Sequence, residues 1–157
     1  MKPMKNLFAL LGVAAFLVGA FAFLPRLDAQ VTPNNTGTLT SVTTGVASND
    51  VVTVTSSAVD VPQGRALAFI PEFKLASAGT GNTVWTFQVS IDGTDWTTSS
   101  GLSHTVAANG TTTVRSYYLL DPTELAAVRK VRLSQISNAA NAVVLTNILV
   151  KWSTQAL

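Results

Sequence analysis

The stretch "WTFQVSIDGTDW", residues 85–96, decides the fold. Trp85, Phe87, Val89 and Ile91 occupy alternate positions, with Thr86, Gln88, Ser90 and Asp92 between them. Successive side chains of an extended chain point to opposite faces, so this alternation predicts a strand with one buried face. Asp92-Gly93 is a strong hairpin signal, because both residues tolerate the backbone of a tight reversal. A two-residue loop sets Val89 opposite Trp96, and the four-residue loop "DGTD" sets Ile91 there. Residues directly opposite share a face. Both registers therefore predict Trp96, like Trp85, in the core.

The flanking chain uses the same vocabulary of Thr, Ser, Val, Ala, Asn and Gly. "TLTSVT" (38–43) and "DVVTVTSS" (50–57) alternate as strands, the second with Val52 and Val54 on one face. After a "PQG" turn, "RALAFIPEFKLAS" (65–77) aligns Leu67, Phe69, Phe73 and Leu75. Pro71 lies among them without an N–H to donate, which predicts an edge strand or a bulge. "GTGN" (79–82) reads as a loop, and "LSHTVAANGTTTVRSYYLL" (102–120) as a second hairpin reversing at Asn109-Gly110. In "DPTELAAV" (121–128) Asp121 can cap, Pro122 suits the first helical position and Glu124 the first turn, so one helical turn is expected. "RKVRLSQI" and "NAVVLTNILVKW" complete the set, with Ile148, Val150 and Trp152 sharing a face and Trp152 expected in the core. About eight strands at roughly ten-residue spacing, without parallel crossovers, predict an all-β antiparallel β-sandwich. A jelly-roll order is preferred and an immunoglobulin-like order is next; the sequence does not separate them.

Ahead of this domain, "MKPMKN" is followed by an uncharged apolar run from Leu7 to Leu24 that Pro25 ends. A basic start, an apolar helix and a small-residue exit describe a secretory signal, with cleavage after Ala29 or at "AFA" (20–22). An uncleaved N-terminal membrane anchor is the alternative, since roughly 18 apolar residues are about the minimum for a span. Both readings export the domain, to the cell exterior, a surface or a virion. The expected organisation is a leader at 1–29, a flexible lead-in at 30–37 around Pro33, and the sandwich at 38–157. The formal charge of +2 belongs to the leader. Lys2, Lys5, Arg26 and Asp28 lie within it, leaving seven basic and seven acidic residues beyond. A neutral domain argues against nucleic-acid binding, which scales with the phosphates neutralised. The Arg129, Lys130 and Arg132 cluster reads as a solvated strand face.

With no cysteine, the chain has no disulfides, thiolate metal sites or cysteine nucleophile. With His104 the only histidine, a multi-histidine metal centre is excluded, and no nucleophile elbow or phosphate loop surrounds it. Asp92 and Asp95 straddle the turn and offer oxygens to calcium, although carboxylates in turns also bond their own backbone. Asp121 and Glu124 form a second pair of this kind. Tyr117 and Tyr118, adjacent in a strand, face opposite ways, so one of them is exposed as a ligand-stacking surface. No cofactor and no catalytic residue is expected.

The 85–96 stretch together with "VRKVRLSQISNAANAVVLTNILVKW" resembles the non-catalytic β-sandwich domains of phage and prophage structural proteins and of bacterial surface proteins, over about residues 50–153. The resemblance implies assembly or attachment. The expected function is therefore a non-enzymatic exported structural protein that self-associates or joins a surface assembly. A carbohydrate- or surface-binding module, holding a glycan at Tyr117 or Tyr118 with calcium at Asp92 and Asp95, is the alternative. The membrane is met only through the N-terminal segment.

Overall fold

The computed structural model describes residues 35–98, 102–139 and 141–156. The expected leader and helix at 1–29, and the lead-in as far as residue 34, lie outside them. Residues 33–157 form a compact unit.

Among the described residues the structure is all-β. Its strands are β1 (Thr36–Thr38), β2 (Gly45–Val46), β3 (Val51–Thr53), β4 (Val59–Asp60), β5 (Arg65–Leu75), β6 (Thr80–Ser90), β7 (Ser103–Asn109), β8 (Val114–Arg115), β9 (Tyr118–Leu120), β10 (Lys130–Ser137) and β11 (Leu145–Ala156). They build two antiparallel sheets in a sandwich-like arrangement. Sheet A runs β1-β11-β5-β8, with β2 also on β11 and β9 also on β5; sheet B runs β3-β10-β6-β7, with β4 also on β10. Because β1 with β2, β3 with β4, and β8 with β9 each lie along one partner, the eleven segments occupy eight positions. In chain order these are 1-8-3-6 in one sheet and 2-7-4-5 in the other.

Alternation does what the sequence predicts along β6. Trp85 and Phe87 are fully buried and Val89 nearly so. Facing them from sheet A are Leu67, Phe69, Phe73 and Leu75 of β5. Phe69 stacks on Phe87 with centroids 4.4 Å apart, and Phe73 meets Trp85 at 5.7 Å. These ring pairs join the two sheets. Trp85 also satisfies its indole N–H internally, donating to Thr83 Oγ1 at 2.9 Å.

Register corrects the expected place of Trp96. The hairpin after β6 is bridged at Val89 and Thr97, a register one residue away from the two-residue expectation. Since the strand period is two, a slip of one turns every side chain to the other face. Trp96 thus lies half-buried on the outer face of sheet B, and Ile91 is 66% exposed in the loop. Trp152 faces inward but is only partly buried against the core, beside Gly37 on the neighbouring β1. A Cβ at Gly37 would come within 2.8 Å of that indole, so only glycine fits there.

Pro71 sits in an unbroken, interior strand, neither at an edge nor in a bulge. Its carbonyl accepts from Ser116 N–H, so its missing N–H faces Ser116, in the two-residue gap between β8 and β9. The interruption therefore falls on the edge partner, whose register is the same on both sides of the gap. The nearby bulge lies on β11 instead, where Asn147 takes a left-handed backbone (φ 53°).

Three further expectations change. "TLTSVT" is not a continuous strand, because Ser41 at φ 60° ends the extended run, while β1 begins two residues early at Thr36 by pairing with Ser153. "GTGN" is not a loop beyond its first residue, since Thr80–Asn82 pair with Asn109–Ala107. The second hairpin does not form: Gly110 turns at φ 67°, but β7 pairs with β6 while β8 pairs with β5, so the chain crosses from sheet B to sheet A. In "DPTELAAV" the cap is present as expected. Asp121 Oδ1 accepts the N–H groups of Thr123 and Glu124, Glu124 Oε2 accepts Asp121 N–H, and Leu125 N–H bonds Asp121 O.

Truncating the inter-sheet stack should be far more damaging than truncating the outward indole. Phe87→Ala is expected to destabilise by about 3–5 kcal/mol, and Trp96→Ala by under about 1.5 kcal/mol, measured by urea unfolding.

Candidate functional site

The expected site residues fall in separate places. Asp92 shapes its own loop: Oδ1 accepts Thr94 N–H at 2.8 Å, Asp95 N–H at 2.9 Å and Ser90 Oγ at 3.0 Å. Ser90 Oγ in turn accepts Gly93 N–H at 2.8 Å. Backbone bonds from Thr94 and Asp95, with the hydroxyls of Thr94 and Ser90, hold the Asp92 carboxyl well below the usual range. Among the described residues no group of three or more His, Asp or Glu gathers as metal ligands. Asp121 and Glu124 likewise serve the cap.

Tyr117, in the gap just before β9, and Tyr118, its first residue, point apart. Tyr117 is 54% exposed on the outer side of sheet A. Tyr118 turns inward and stacks between two rings, Phe87 at 5.6 Å and His104 at 5.0 Å. His104 lies opposite Trp85 on β7, and its Nε2 is 2.7 Å from Ser116 Oγ in the gap between β8 and β9. A ladder of rings, His104–Tyr118–Phe87–Phe69, so closes one side of the sandwich. Burial pushes the His104 pKa down. A hydroxyl beside an imidazole is the beginning of a nucleophile and base pair. Here the imidazole face is covered by Tyr118, and the geometry serves as a lateral seam.

A different surface, missed in the sequence, has the features of a site. Arg132 on β10 lies directly opposite Gln88 on β6, both on the outer face of sheet B. Gln88 Oε1 accepts both Arg132 Nε (3.0 Å) and Nη2 (2.8 Å), while Gln88 Nε2 donates to Thr98 Oγ1 at 3.2 Å. The guanidinium lies 4.1 Å from the centre of the Trp96 ring, a cation–π contact. Beside it opens a polar groove of about 390 Å³ whose lining includes Thr53, Thr55, Thr86, Ser134 and Gln135. The three ion pairs among the described residues are Glu72 with Arg115, Glu72 with Lys151, and Asp60 with Lys130; none involves Arg132. The sequence did carry a signal for this surface, the polar alternates Thr86 and Gln88 of the opening stretch. Their partner strand was not readable.

The edges of the sheets differ as well. Those formed by β1 with β2, β3 with β4, and β8 with β9 are split into segments of two or three residues. The fourth, β7, is seven residues long and contains no proline and no formal charge. Phe87 N–H bonds Leu102 O, which fixes the phase of the ladder: alternate residues from Leu102 face β6, and Ser103, Thr105 and Ala107 turn their backbone groups outward.

No family model and no curated protein matches the chain. Among solved structures, it is similar to a chain in the structure of infectious bursal disease virus, Gx strain, at 12% identity and a TM-score of 0.42. The match covers 80% of this chain and 31% of that one. This chain thus spans about a third of the length of that chain.

Stability should fall with acid in two stages. An unfolded histidine titrates near 6.5, whereas folded His104 resists the proton, so the unfolded state binds more protons as pH drops below that value. His104 therefore contributes full stability above about pH 6.5, which is lost downward through its lower folded pKa. Glu72, drawn down chiefly by Lys151 and then by Arg115, loses its contribution below the usual carboxylate range. Urea midpoints from pH 7.5 to 5 should decline in the parent protein and flatten in His104→Gln.

Proposed function

We propose that the chain is a non-enzymatic, exported structural protein built on a jelly roll, whose copies associate through the open edge of sheet B. The strand order 1-8-3-6 against 2-7-4-5 supports the jelly-roll reading, because it is the order of two interlocked Greek keys. An immunoglobulin-like order is less consistent with it. The apolar leader supports export.

The observation that carries the association is β7. A seven-residue, uncharged edge presents unpaired N–H and C=O groups to another chain, and proteins that avoid such pairing normally interrupt the edge or charge it. Interruption is what the other three edges have. Sheet addition needs no side-chain pocket, since the main chain itself supplies the bonds. The near-balance of charge beyond the leader adds little repulsion between copies.

Light scattering on residues 33–157 over a wide concentration range tests this. The expected mass rises above that of one chain with concentration, and Ala107→Lys, which places a charge on the outward-facing edge, keeps it at one chain. A parent protein that stays monomeric at every concentration would remove the proposal.

A further inference from the structure

We infer that the outer face of sheet B binds an acidic saccharide, with Arg132 holding its oxyanion. This site is separate from the β7 edge and does not depend on association through it.

Arg132 Nε and the Nη2 hydrogen beside it are both directed at Gln88 Oε1. That contact uses one side of the planar fork and leaves its end, the parallel N–H groups of Nη1 and Nη2, for another acceptor. Arginine can present such an end to a carboxylate or sulfate through two parallel bonds, with the geometry fixed by the plane. The plane itself is already fixed. Gln88 holds it from the side, Thr98 holds Gln88, and the Trp96 ring lies against its face. Little freedom then remains to be lost on binding. A half-buried cation with no carboxylate partner among the described residues is complementary to an anion from outside.

The surroundings choose what carries the anion. Apart from Arg132 and Val54, the groove's lining is hydroxyl and amide, with Thr53, Thr55, Thr86, Ser134 and Gln135 among it. Such groups both donate and accept, as the hydroxyls of a sugar ring do. No bonds to the side chains of Thr53, Thr55 or Gln135 from the described residues compete for these positions. A volume of about 390 Å³ lies within the range of small-ligand clefts. A smaller, mostly apolar recess of about 220 Å³ lies by Trp96 on the same hairpin, walled by Val89, Ile91, Asp95 and Thr97. Nucleic acid fits less well, because Arg132 is the groove's one cation and the neighbouring Lys130 is paired with Asp60.

The test uses the full chain in a polyoxyethylene detergent on an array of uronate-, sialate- and sulfate-bearing oligosaccharides beside neutral ones and a single-stranded DNA. Acidic saccharides are expected to bind at least about tenfold more tightly than their neutral counterparts, and the array arm that responds identifies the oxyanion. Titration of the best ligand should shift the Trp96 indole N–H resonance in the parent protein, a readout that needs no variant. Arg132→Gln should weaken binding by about 10- to 100-fold, with Arg132→Lys falling between because it keeps the charge and loses the fork. Lys151→Gln, on the opposite sheet, should bind as the parent does. Equal binding of neutral sugars, preference for DNA, no retained acidic saccharide, or an unmoved Trp96 signal on binding would each overturn the inference.

Discussion

The stacking of Phe69 on Phe87 is the contact on which the rest of the molecule depends. One ring comes from each sheet, and both are sealed from water. Neither sheet can bury its apolar face alone, so the chain has no core until these faces meet. Burial of aromatic side chains supplies the largest share of hydrophobic stabilisation per residue, and a cysteine-free domain has no covalent alternative. Phe87 also touches Tyr118, which carries the ring sequence outward to His104. The same stack that closes the core therefore locates the seam at its side, and it fixes which face of β6 is left to carry Gln88.

Much of this was legible because period-two alternation is a local property. Trp85, Phe87, Leu67, Phe69 and Phe73 could be assigned to an inner face without knowing their partners. Trp96 could not. Its face depends on where the hairpin resumes pairing, and the Asp92 loop, tied by Ser90, Thr94 and Asp95, resumes it at Thr97. The Asn109-Gly110 turn misled for a related reason. Its backbone reverses as expected, but whether two flanking strands pair depends on distant competitors, here β6 and β5. The Gln88–Arg132 pair is likewise 44 residues apart in sequence. Of the sequence's own site residues, Tyr117 is the exposed aromatic expected, while Asp92 is engaged by its own loop.

Pro71 shows how a local rule can hold and still mislead about place. Proline cannot complete a ladder on both sides, yet β5 runs unbroken through the interior of sheet A. The missing donor faces β8 and β9, and the defect appears there as a gap filled by Ser116. Ser116 in that gap also reaches the His104 ring through its hydroxyl, across the seam between the sheets.

The same division of the margins has a geometric corollary. A body with one continuous margin and three blunted ones has a valency of one for main-chain pairing. When identical margins meet antiparallel, a two-fold axis relates the copies and both are used up. Under the proposed pairing, growth past a pair would have to recruit a different patch of the surface, so the size of such an assembly would be governed away from the strand that starts it.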